Sequence, residues 1–278
     1  MTRIDSHQHF WKIARGDYLW LSGEAHPKIY RDFEPADLEP LLRKGEFDRT
    51  ILVQAAPTLG ETEYLLELAR RTSFVAGVVG WADFEASNVV AVLEKLSANK
   101  LLVGVRPMIQ DLPDDDWILS SDIAPVLRAI SQAQLRFDAL VKPRHLPILL
   151  RLLDRNPDLQ LVIDHGAKPM IRAGEISTWS SAIRDLARET SACCKLSGLI
   201  TEAVPDWSVE QLKPFVEILL ESFGPDRLMW GSDWPVLTEA GDYESWLSAS
   251  ESLTRSLDEE DRGAIFGGTA ARFYGIAA

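Results

Sequence analysis

The chain has 278 residues, of which 46% are hydrophobic and 26% charged, a composition typical of a protein with a sizeable buried core. Its formal net charge of −13, without any basic cluster, gives nucleic-acid binding no electrostatic support. Because no run of about 18 apolar residues indicates a membrane span and no signal-peptide core is present, we expect a cytoplasmic protein without a nucleic-acid or membrane partner.

The first predicted element is a strand that carries two of the five histidines in the chain, His7 and His9, in the segment 4–10. Side chains alternate along an extended strand, so Asp5, His7 and His9 are expected on one face. Two imidazoles at this spacing can both reach one metal ion or one substrate. A lone histidine is more often structural, but a pair at a strand end favours a functional site.

A long segment without helical or strand periodicity follows, from residue 10 to residue 33. Loops of this length inside a compact domain are usually functional or disordered. Its aromatic residues argue against disorder; they are Trp11, Tyr18, Trp20, Tyr30 and Phe33. We expect this segment to fold over the end of the first strand as a wall or lid. Packing without ligand contact is the alternative.

From residue 34 onward, short apolar segments alternate with amphipathic ones. Predicted strands span residues 50–56, 74–81, 101–107, 135–141, 160–166, 192–198 and 226–233. Predicted helices lie at or near residues 35–45, 61–72, 87–99, 121–133, 144–155, 176–190, 208–223, 243–256 and 259–272. Including the opening strand, this pattern gives eight strands, each followed by helix.

Nearly continuous apolar strands that alternate with helices indicate a parallel sheet buried on both faces. Eight such units in a chain of this length predict an α/β fold, a (β/α)8 TIM barrel that forms one domain over residues 1–278. A doubly wound open sheet is the alternative. The glycine-rich fingerprint that such folds carry after their first strand is missing.

The active site of such a barrel lies at the carboxyl ends of its strands. Polar residues collect at those ends: His7, His9, Gln54, Asp83, Arg106, Asp138, Asp164, His165, Lys195, Ser197, Ser232 and Asp233. The eighth strand of a barrel neighbours the first, so Asp233 is expected beside His7 and His9. There it can ligate a metal ion, take a proton from water or orient a histidine.

The remaining charged candidates each have a functional and a structural interpretation. His165 is expected to be the acid or electrophile across the site, with a hydrogen-bonded strand-end histidine as the alternative. Arg106 suits a substrate carboxylate, hydroxyl or oxyanion, or a structural ion pair with Asp138. For Lys195 we expect a structural ion pair with Asp164 or another carboxylate.

Aromatic and loop residues complete the set of substrate-binding candidates. Trp81, Trp11 and Trp234 are predicted as apolar walls for the ring of a substrate, although single aromatics are more often core. His145 follows a strand and either contacts substrate or starts the next helix. No serine-hydrolase elbow or P-loop is present.

The two cysteines, Cys193 and Cys194, are adjacent in the seventh predicted strand. Adjacent cysteines do not form an ordinary structural disulfide with each other, and they lack the spacing of a zinc site. They fit a reducing compartment, and we expect them to serve only in packing.

Five segments, in order along nearly the whole chain, resemble the amidohydrolase superfamily. More narrowly, they are similar to its sugar-acid lactonase branch, of the L-fuconolactonase and L-rhamnonolactonase type. The segments are residues 4–11, 17–21, 164–169, 195–199 and 228–235. The resemblance is specific for the family and much less so for the substrate.

Residue by residue, the resemblance implies that His7 and His9 form the first-strand pair and His165 is the sixth-strand histidine. It makes Asp233 the eighth-strand aspartate, the usual general base of the family. The fifth strand often supplies a histidine ligand; here Asp138 either substitutes for it or leaves the metal site incomplete. Arg106, rather than a metal-bridging lysine, ends the fourth strand. One divalent ion, zinc, is therefore implied, and catalysis without metal stays open.

We therefore expect a hydrolase that opens a sugar-acid lactone of the L-fucono, L-rhamnono or L-galactono type. Asp233 would activate the water that attacks the ring carbonyl, and the partner would be a small-molecule lactone. One alternative is a decarboxylase or a hydrolase of a carboxylated lactone, of the 2-pyrone-dicarboxylate type, which needs more cationic residues than Arg106 alone. Another is a non-catalytic sugar-binding protein, which has no need for an aspartate beside a histidine pair.

Overall fold

A computed structural model, which describes residues 2–277, contains one sheet of eight parallel strands hydrogen-bonded in sequence order. The strands are β1 (Ile4–Gln8), β2 (Arg49–Val53), β3 (Val75–Gly80), β4 (Leu102–Val105), β5 (Arg136–Ala139), β6 (Leu161–Ile163), β7 (Cys193–Leu196) and β8 (Leu228–Trp230). Beyond β8, the amide of Asp233 donates to the His7 carbonyl at 2.8 Å, and the His9 amide donates to the Trp234 carbonyl at 2.7 Å. The predicted (β/α)8 barrel is confirmed.

One helix follows each strand, and two further helices end the described chain. The helices are α1 (Pro35–Lys44), α2 (Leu59–Arg71), α3 (Val89–Ser97), α4 (Ala124–Gln132), α5 (Leu146–Arg155), α6 (Ser177–Glu189), α7 (Val209–Phe223), α8 (Tyr243–Leu253), α9 (Glu259–Gly263) and α10 (Thr269–Tyr274). The predicted helix over 259–272 is interrupted by a wider turn at Ala264–Gly268. Over residues 2–277, no helix has both the length and the apolar character needed to cross a bilayer.

The end of the barrel interior opposite the carboxyl ends of the strands is filled by branched and apolar side chains. Ile4, Ile51, Val53, Val79, Val162 and Met229 are fully buried in one cluster. Helix α10 packs against this cluster through Ala270, Phe273 and Tyr274. Burial of each such aliphatic side chain contributes about 1.5–3 kcal/mol. Because this cluster fills one end of the barrel, the polar side chains of the interior lie toward the carboxyl ends of the strands.

Most observed strands are shorter than the apolar segments that predicted them. The predicted strand 160–166, for example, is regular only over Leu161–Ile163. The next four residues, Asp164–Ala167, form a tight turn in which His165 and Gly166 have φ values of 55° and 57°. Apolar residues therefore continue past the ends of the strands into the loops, where they pack beneath the site and do not extend the sheet.

Strand β1 departs from the alternation that its sequence predicts. A register shift between Asp5 and Gln8 marks a β-bulge. The Asp5 carboxylate accepts hydrogen bonds from the Ser232 amide at 2.8 Å and from the Tyr243 hydroxyl of α8 at 3.1 Å. The expectation that Asp5 shares the face of His7 and His9 is therefore wrong, because the bulge turns it toward the helix layer.

The long segment after β1 is ordered by its aromatic residues. The Trp11 ring lies 5.5 Å from that of Phe33 and 5.8 Å from that of Trp20, measured between centroids. The Trp20 indole N–H donates to the Ala55 carbonyl at 2.7 Å, just after β2. The segment therefore covers the carboxyl ends of β1 and β2.

Candidate active site

Four side chains from β1, β6 and β8 converge at the carboxyl end of the barrel. The Nε2 atoms of His7 and His9 are 3.2 Å apart. Asp233 Oδ1 lies 3.3 Å from His9 Nε2, 3.7 Å from His7 Nε2 and 3.8 Å from His165 Nε2. All four side chains are buried. The sequence predicted these four residues as one site, and the structure brings them together.

The protonation of His9 follows from its hydrogen-bond partner. Its Nδ1 atom lies 2.8 Å from the carbonyl oxygen of Val53. A carbonyl only accepts hydrogen bonds, so Nδ1 carries a hydrogen, and in the neutral form of the ring the lone pair on Nε2 points into the site. That lone pair faces the carboxylate of Asp233 and the Nε2 atom of His7. Acceptor atoms this close together repel one another unless a proton or a metal cation lies between them.

The geometry of this group fits a divalent metal ion. Ligand atoms bound to tetrahedral zinc at 2.0–2.1 Å lie about 3.3 Å from one another. The three distances among His7 Nε2, His9 Nε2 and Asp233 Oδ1 are 3.2, 3.3 and 3.7 Å. Two imidazole nitrogens and a carboxylate oxygen are also a donor set that zinc accepts. These three residues therefore form a candidate metal site.

A second group of possible ligands consists of His7, Asp164 and His165. Its carboxylate is already paired with two cations: Asp164 Oδ1 lies 3.0 Å from Lys195 Nζ, and Oδ2 lies 3.1 Å from Arg106 Nη1. Burial alone would raise the pKa of Asp164, but Lys195, His7 and Arg106 hold it well below its ordinary value. The predicted pair of Lys195 with Asp164 is confirmed.

Arg106 is fixed at the edge of the site by its own backbone contacts. Its Nη2 donates to the Gln54 backbone carbonyl, and the side-chain Nε2 of Gln54 donates to the Arg106 backbone carbonyl at 2.8 Å. Its Nη1 atom lies 3.4 Å from His7 Nε2. The alternative of an ion pair with Asp138 is wrong, because Arg106 pairs with Asp164. Within residues 2–277 its buried Nε atom has no hydrogen-bond partner.

Asp138 lies below the histidines, in a buried cluster with Lys195 and Tyr274. Its Oδ2 atom accepts from Lys195 Nζ at 2.5 Å and from the Tyr274 hydroxyl at 2.7 Å. Burial raises the pKa of Asp138, although the Lys195 charge opposes that shift. Asp138 belongs to neither group of convergent ligands, so the structure places it as an ion-pair partner rather than as the metal ligand that the sequence left open.

Tyr274 was not among the candidates from sequence. It lies on α10, far along the chain from the strand that carries Asp138. Its only signal is an aromatic residue on the last predicted helix, which does not distinguish it from ordinary core. The topology of the barrel, in which α10 closes the floor, brings its hydroxyl to the interior.

His165 and Asp233 both adopt left-handed backbone conformations, with φ values of 55° and 60°. Such conformations are strained for residues other than glycine and occur often at functional sites. His165 Nδ1 lies 2.8 Å from Ser197 Oγ, which fixes the ring. Burial lowers the pKa of His165 to about 4, so its imidazole is neutral at pH 7.

Asp233 remains ionised despite its burial. Burial alone would raise its pKa, but the neighbouring imidazoles of His165, His9 and His7 lower it below its ordinary value. Burial, and then the Lys195 charge, lower the pKa of His7 well below its ordinary range. At neutral pH Asp233 is therefore a carboxylate, the form that can accept a proton, beside the imidazoles of His7 and His165, whose pKa values are lowered.

The predicted tryptophan walls occupy different environments. Trp81 lines a largely apolar cavity of about 380 Å³ beside the ends of β3 and β4; Trp20, Phe84, Pro107 and Trp117 also line it. Trp11 and Trp234 are instead buried, with exposures of 0% and 3%, in the aromatic packing of the segment after β1. Their side chains therefore pack within the segment after β1 and have no exposed face for a substrate.

His145 has a local structural role. Its Nδ1 accepts a hydrogen bond from the Lys142 amide at 3.0 Å, and its Nε2 lies 3.0 Å from Asp115 Oδ1. Both ring nitrogens are thus occupied where α5 begins. The structure supports the helix-start interpretation and does not bring His145 into the histidine cluster.

Comparison with known proteins adds relatives that span the whole barrel. The family model described as amidohydrolase matches residues 4–276. A protein described as L-fucono-1,5-lactonase from Burkholderia ambifaria is 47% identical over 278 residues, which cover 99% of this chain and 96% of the relative. Another of the same description, from Burkholderia multivorans, is 36% identical, with 99% and 96% covered. A crystal structure of an amidohydrolase from Burkholderia multivorans with bound zinc is 35% identical, covers both chains completely and superposes with a TM-score of 0.93.

Proposed function

The chain belongs to the amidohydrolase family, and we propose that it is a lactonase that hydrolyses the cyclic ester of a sugar acid. The observation that carries this proposal is the ionised Asp233 carboxylate held among three imidazoles, with Oδ1 3.3 Å from His9 Nε2. The two Burkholderia relatives described as L-fucono-1,5-lactonase support the substrate class. L-fucono-1,5-lactone and related L-sugar lactones are therefore the substrates we propose.

Asp233 acts as the general base in this proposal. Its carboxylate takes a proton from water while the water oxygen bonds to the lactone carbonyl carbon. The tetrahedral intermediate then collapses with cleavage of the bond between that carbon and the ring oxygen. Asp233 returns its proton to the ring oxygen as it leaves as a hydroxyl. The product is the open-chain acid, and Asp233 regains its starting state.

Arg106 and His165 are placed to stabilise the oxyanion of the intermediate. The guanidinium of Arg106 is held in position by Gln54 and Asp164, and its Nη1 atom lies 3.4 Å from His7 Nε2, at the edge of the site. The Ser197 hydroxyl can donate to His165 Nδ1, in which case the neutral ring presents an Nε2 hydrogen to the site. Donors fixed before the reaction stabilise developing charge without reorganisation.

A metal ion would be held by His7, His9 and Asp233. When bound, a divalent cation at this position polarises the lactone carbonyl and lowers the energy of the oxyanion. The binding of substrate by Arg106, the position of His165 and the proton transfer at Asp233 do not depend on its identity. We propose zinc, because the donor set fits zinc and a relative carries it.

A second candidate function, hydrolysis of a lactone that bears a carboxylate, is favoured by one observation. Lys142, Arg144 and Lys168 line a cavity of about 1060 Å³ near the ends of β5 and β6. Arg144 is already paired with Asp115 at 2.8 Å, and Glu175 and Glu202 also line the cavity. The two lysines are the cationic side chains, beyond Arg106, that could meet an anionic group. The sugar lactone remains the first proposal because the site needs only Asp233 and its neighbours for it.

A panel of lactones tests the proposal. L-fucono-, L-rhamnono-, L-galactono- and D-sugar lactones of both ring sizes, and 2-pyrone-4,6-dicarboxylate, are followed by acid release with a pH indicator. The enzyme is used as purified, after chelation and after reloading with zinc, with spontaneous hydrolysis as the baseline. We expect at least one neutral L-sugar lactone to be opened well above the baseline. Turnover of the dicarboxylate alone would favour the second candidate, and no turnover at all would refute both.

A further inference from the structure

The carboxylate of Glu61 is fully buried beside the loop that follows β2, and no step of the proposed reaction uses it. Its Oε2 atom accepts from the Ala56 amide at 2.6 Å and from the Ala55 amide at 3.1 Å, and its Oε1 atom lies 3.1 Å from the same Ala55 nitrogen. Both oxygens face N–H donors, so these contacts suit the ionised form, which only accepts. Burial raises the pKa of Glu61 to about 7, although the Ala56 and Ala55 amides and the Arg106 charge oppose that shift.

Glu61 also stands at the position of a helix-capping glutamate. Thr58 is the N-cap of α2, and its Oγ1 accepts from the Glu61 amide at 3.0 Å. In a capping box of the pattern Thr-x-x-Glu, the glutamate would accept in return from the N-cap amide. Here the Thr58 amide donates instead to the Ala56 carbonyl at 2.9 Å. The Glu61 carboxylate is therefore directed at the loop and not at the end of its own helix.

Three consecutive carbonyl groups of this loop hold side chains of the site and of the segment that covers it. They are those of Val53, which lies 2.8 Å from His9 Nδ1, of Gln54, which accepts from Arg106 Nη2, and of Ala55, which accepts from the Trp20 indole at 2.7 Å. The Gln54 carbonyl and the Ala55 amide belong to one peptide group. Its oxygen faces the Arg106 guanidinium and its N–H faces the Glu61 carboxylate, so this peptide group connects a buried cation with a buried anion.

Hydrogen bonds to charged groups are stronger than neutral ones, and bonds at the two ends of one peptide group polarise each other. The Glu61 carboxylate draws on the Ala55 N–H and thereby makes the Gln54 carbonyl a better acceptor for Arg106. The other Arg106 contact, from Nη1 to Asp164 Oδ2 at 3.1 Å, fixes a second corner of the guanidinium. Removal of the Glu61 charge should therefore loosen one of the two corners.

We infer that Glu61 is a positioning residue that holds the Arg106 guanidinium at the site through the peptide group between Gln54 and Ala55. The inference rests on the proposed function, in which Arg106 stabilises the oxyanion. Glu61 does not touch the lactone. Because the oxyanion exists only in the intermediate and the states near it, a loosened guanidinium should lower kcat and leave KM nearly unchanged.

A kinetic double-mutant cycle tests this link. Glu61→Gln keeps the length of the side chain and an acceptor oxygen but removes the charge. For the best lactone of the panel, at pH 8, we expect kcat to fall at least about tenfold and KM to change by less than about twofold. Glu63→Gln, an exposed position two residues along the same helix, should match the wild type. In an Arg106→Gln background, Glu61→Gln should lower kcat by less than about twofold further.

Three kinetic results would overturn the inference. They are an unchanged kcat in folded Glu61→Gln, a raised KM with kcat unchanged, and an equal loss of kcat with and without Arg106. The second would assign Glu61 to the shape of the loop alone, and the third would separate its effect from Arg106.

Thermal unfolding of the metal-free variants tests the link without any substrate. Glu61→Gln and Arg106→Gln should each melt several degrees below the wild type, because each leaves a buried charge without a partner. The double variant removes both charges, so it should melt no lower than the less stable single variant. Folding of the double variant where Glu61→Gln alone fails to fold would give the same support.

The unfolding cycle also separates this inference from the proposed function. Melting-temperature losses that simply add, or a double variant that does not fold, would overturn the link between Glu61 and Arg106 even in an active lactonase. Coupled losses in a protein that opens no lactone would uphold that link and refute only the proposed reaction.

Discussion

The backbone of Gly198 lies directly against the imidazole ring of His165. A Cβ atom at Gly198 would come within 2.6 Å of the ring atoms Cγ and Nδ1, closer than side chains approach one another. Gly198 also has a φ of 62°, in the left-handed region. The position of His165 therefore depends on the absence of a side chain at Gly198 as well as on the hydrogen bond to Ser197.

Gly198→Ala should displace the His165 ring and lower lactone turnover by at least about tenfold, a barrier increase of about 1.4 kcal/mol. Gly174→Ala is the matched control, since Gly174 has a φ of 68° but no atom within 4 Å of an added Cβ. The control should lose only about 1–2 kcal/mol of stability, from backbone strain, and keep its activity. Equal activity in the two variants would show that the His165 ring does not depend on the absence of a side chain at Gly198.

Stability should depend on pH through His165 in the metal-free protein. Its pKa is 6.5 when free and about 4 in the folded state, because burial disfavours the charged ring. The unfolded chain therefore binds more protons than the folded one between these values, and the free energy of unfolding falls as pH drops from 6.5 to 4, by about 3 kcal/mol in total. Urea titrations with a chelator present, at pH 4 to 8, should show this slope in the wild type and lose it in His165→Gln. Parallel curves would contradict the assignment.

Trp81 should contribute to substrate binding rather than to chemistry. It lines the apolar cavity beside β3 and β4 and lies outside the group of Asp233 and the histidines. Trp81→Ala should raise KM roughly tenfold, equivalent to about 1.4 kcal/mol of binding, with little change in kcat. Trp81→Phe keeps an aromatic face and should recover most of the loss. An unchanged KM in the alanine variant would place the sugar ring elsewhere.

The adjacent cysteines should be inert in the folded protein. Burial raises the pKa of Cys193 to about 11 and that of Cys194 further above the ordinary thiol value. Since the thiolate is the reactive form, neither should react appreciably with a thiol reagent at pH 8. In urea, two thiols per chain should react, and one in Cys193→Ser. Rapid labelling of the native wild type would contradict the buried positions.

Much of the barrel follows from patterns that act locally. Apolar strands and amphipathic helices alternate along the chain, and this alternation predicts both the number of strands and their parallel order. Polar residues directly after each strand, His165 and Asp233 among them, predict the site because the barrel brings those ends together. Strand ends were less accurate, since apolar residues continue into the loops.

The features that were missed depend on three-dimensional contacts. The bulge that turns Asp5 toward Tyr243 leaves no mark in a pattern of alternating residues. Arg106 pairs with Asp164 and not with Asp138, whereas Lys195 pairs with both aspartates. Such choices among several buried charges depend on distances of a few ångströms, which residue spacing does not encode.

The central claim is that Asp233 takes the proton from the attacking water, and its replacement by asparagine tests this most directly. Asparagine keeps the shape of the side chain and removes the base, so kcat/KM for L-fucono-1,5-lactone should fall by at least about a hundredfold. Asp158→Asn, at an exposed position outside the site, is the control for loss of one carboxylate and should match the wild type. Both variants should melt cooperatively as folded proteins. An Asp233→Asn enzyme that is folded and retains near-normal kcat/KM would contradict the account.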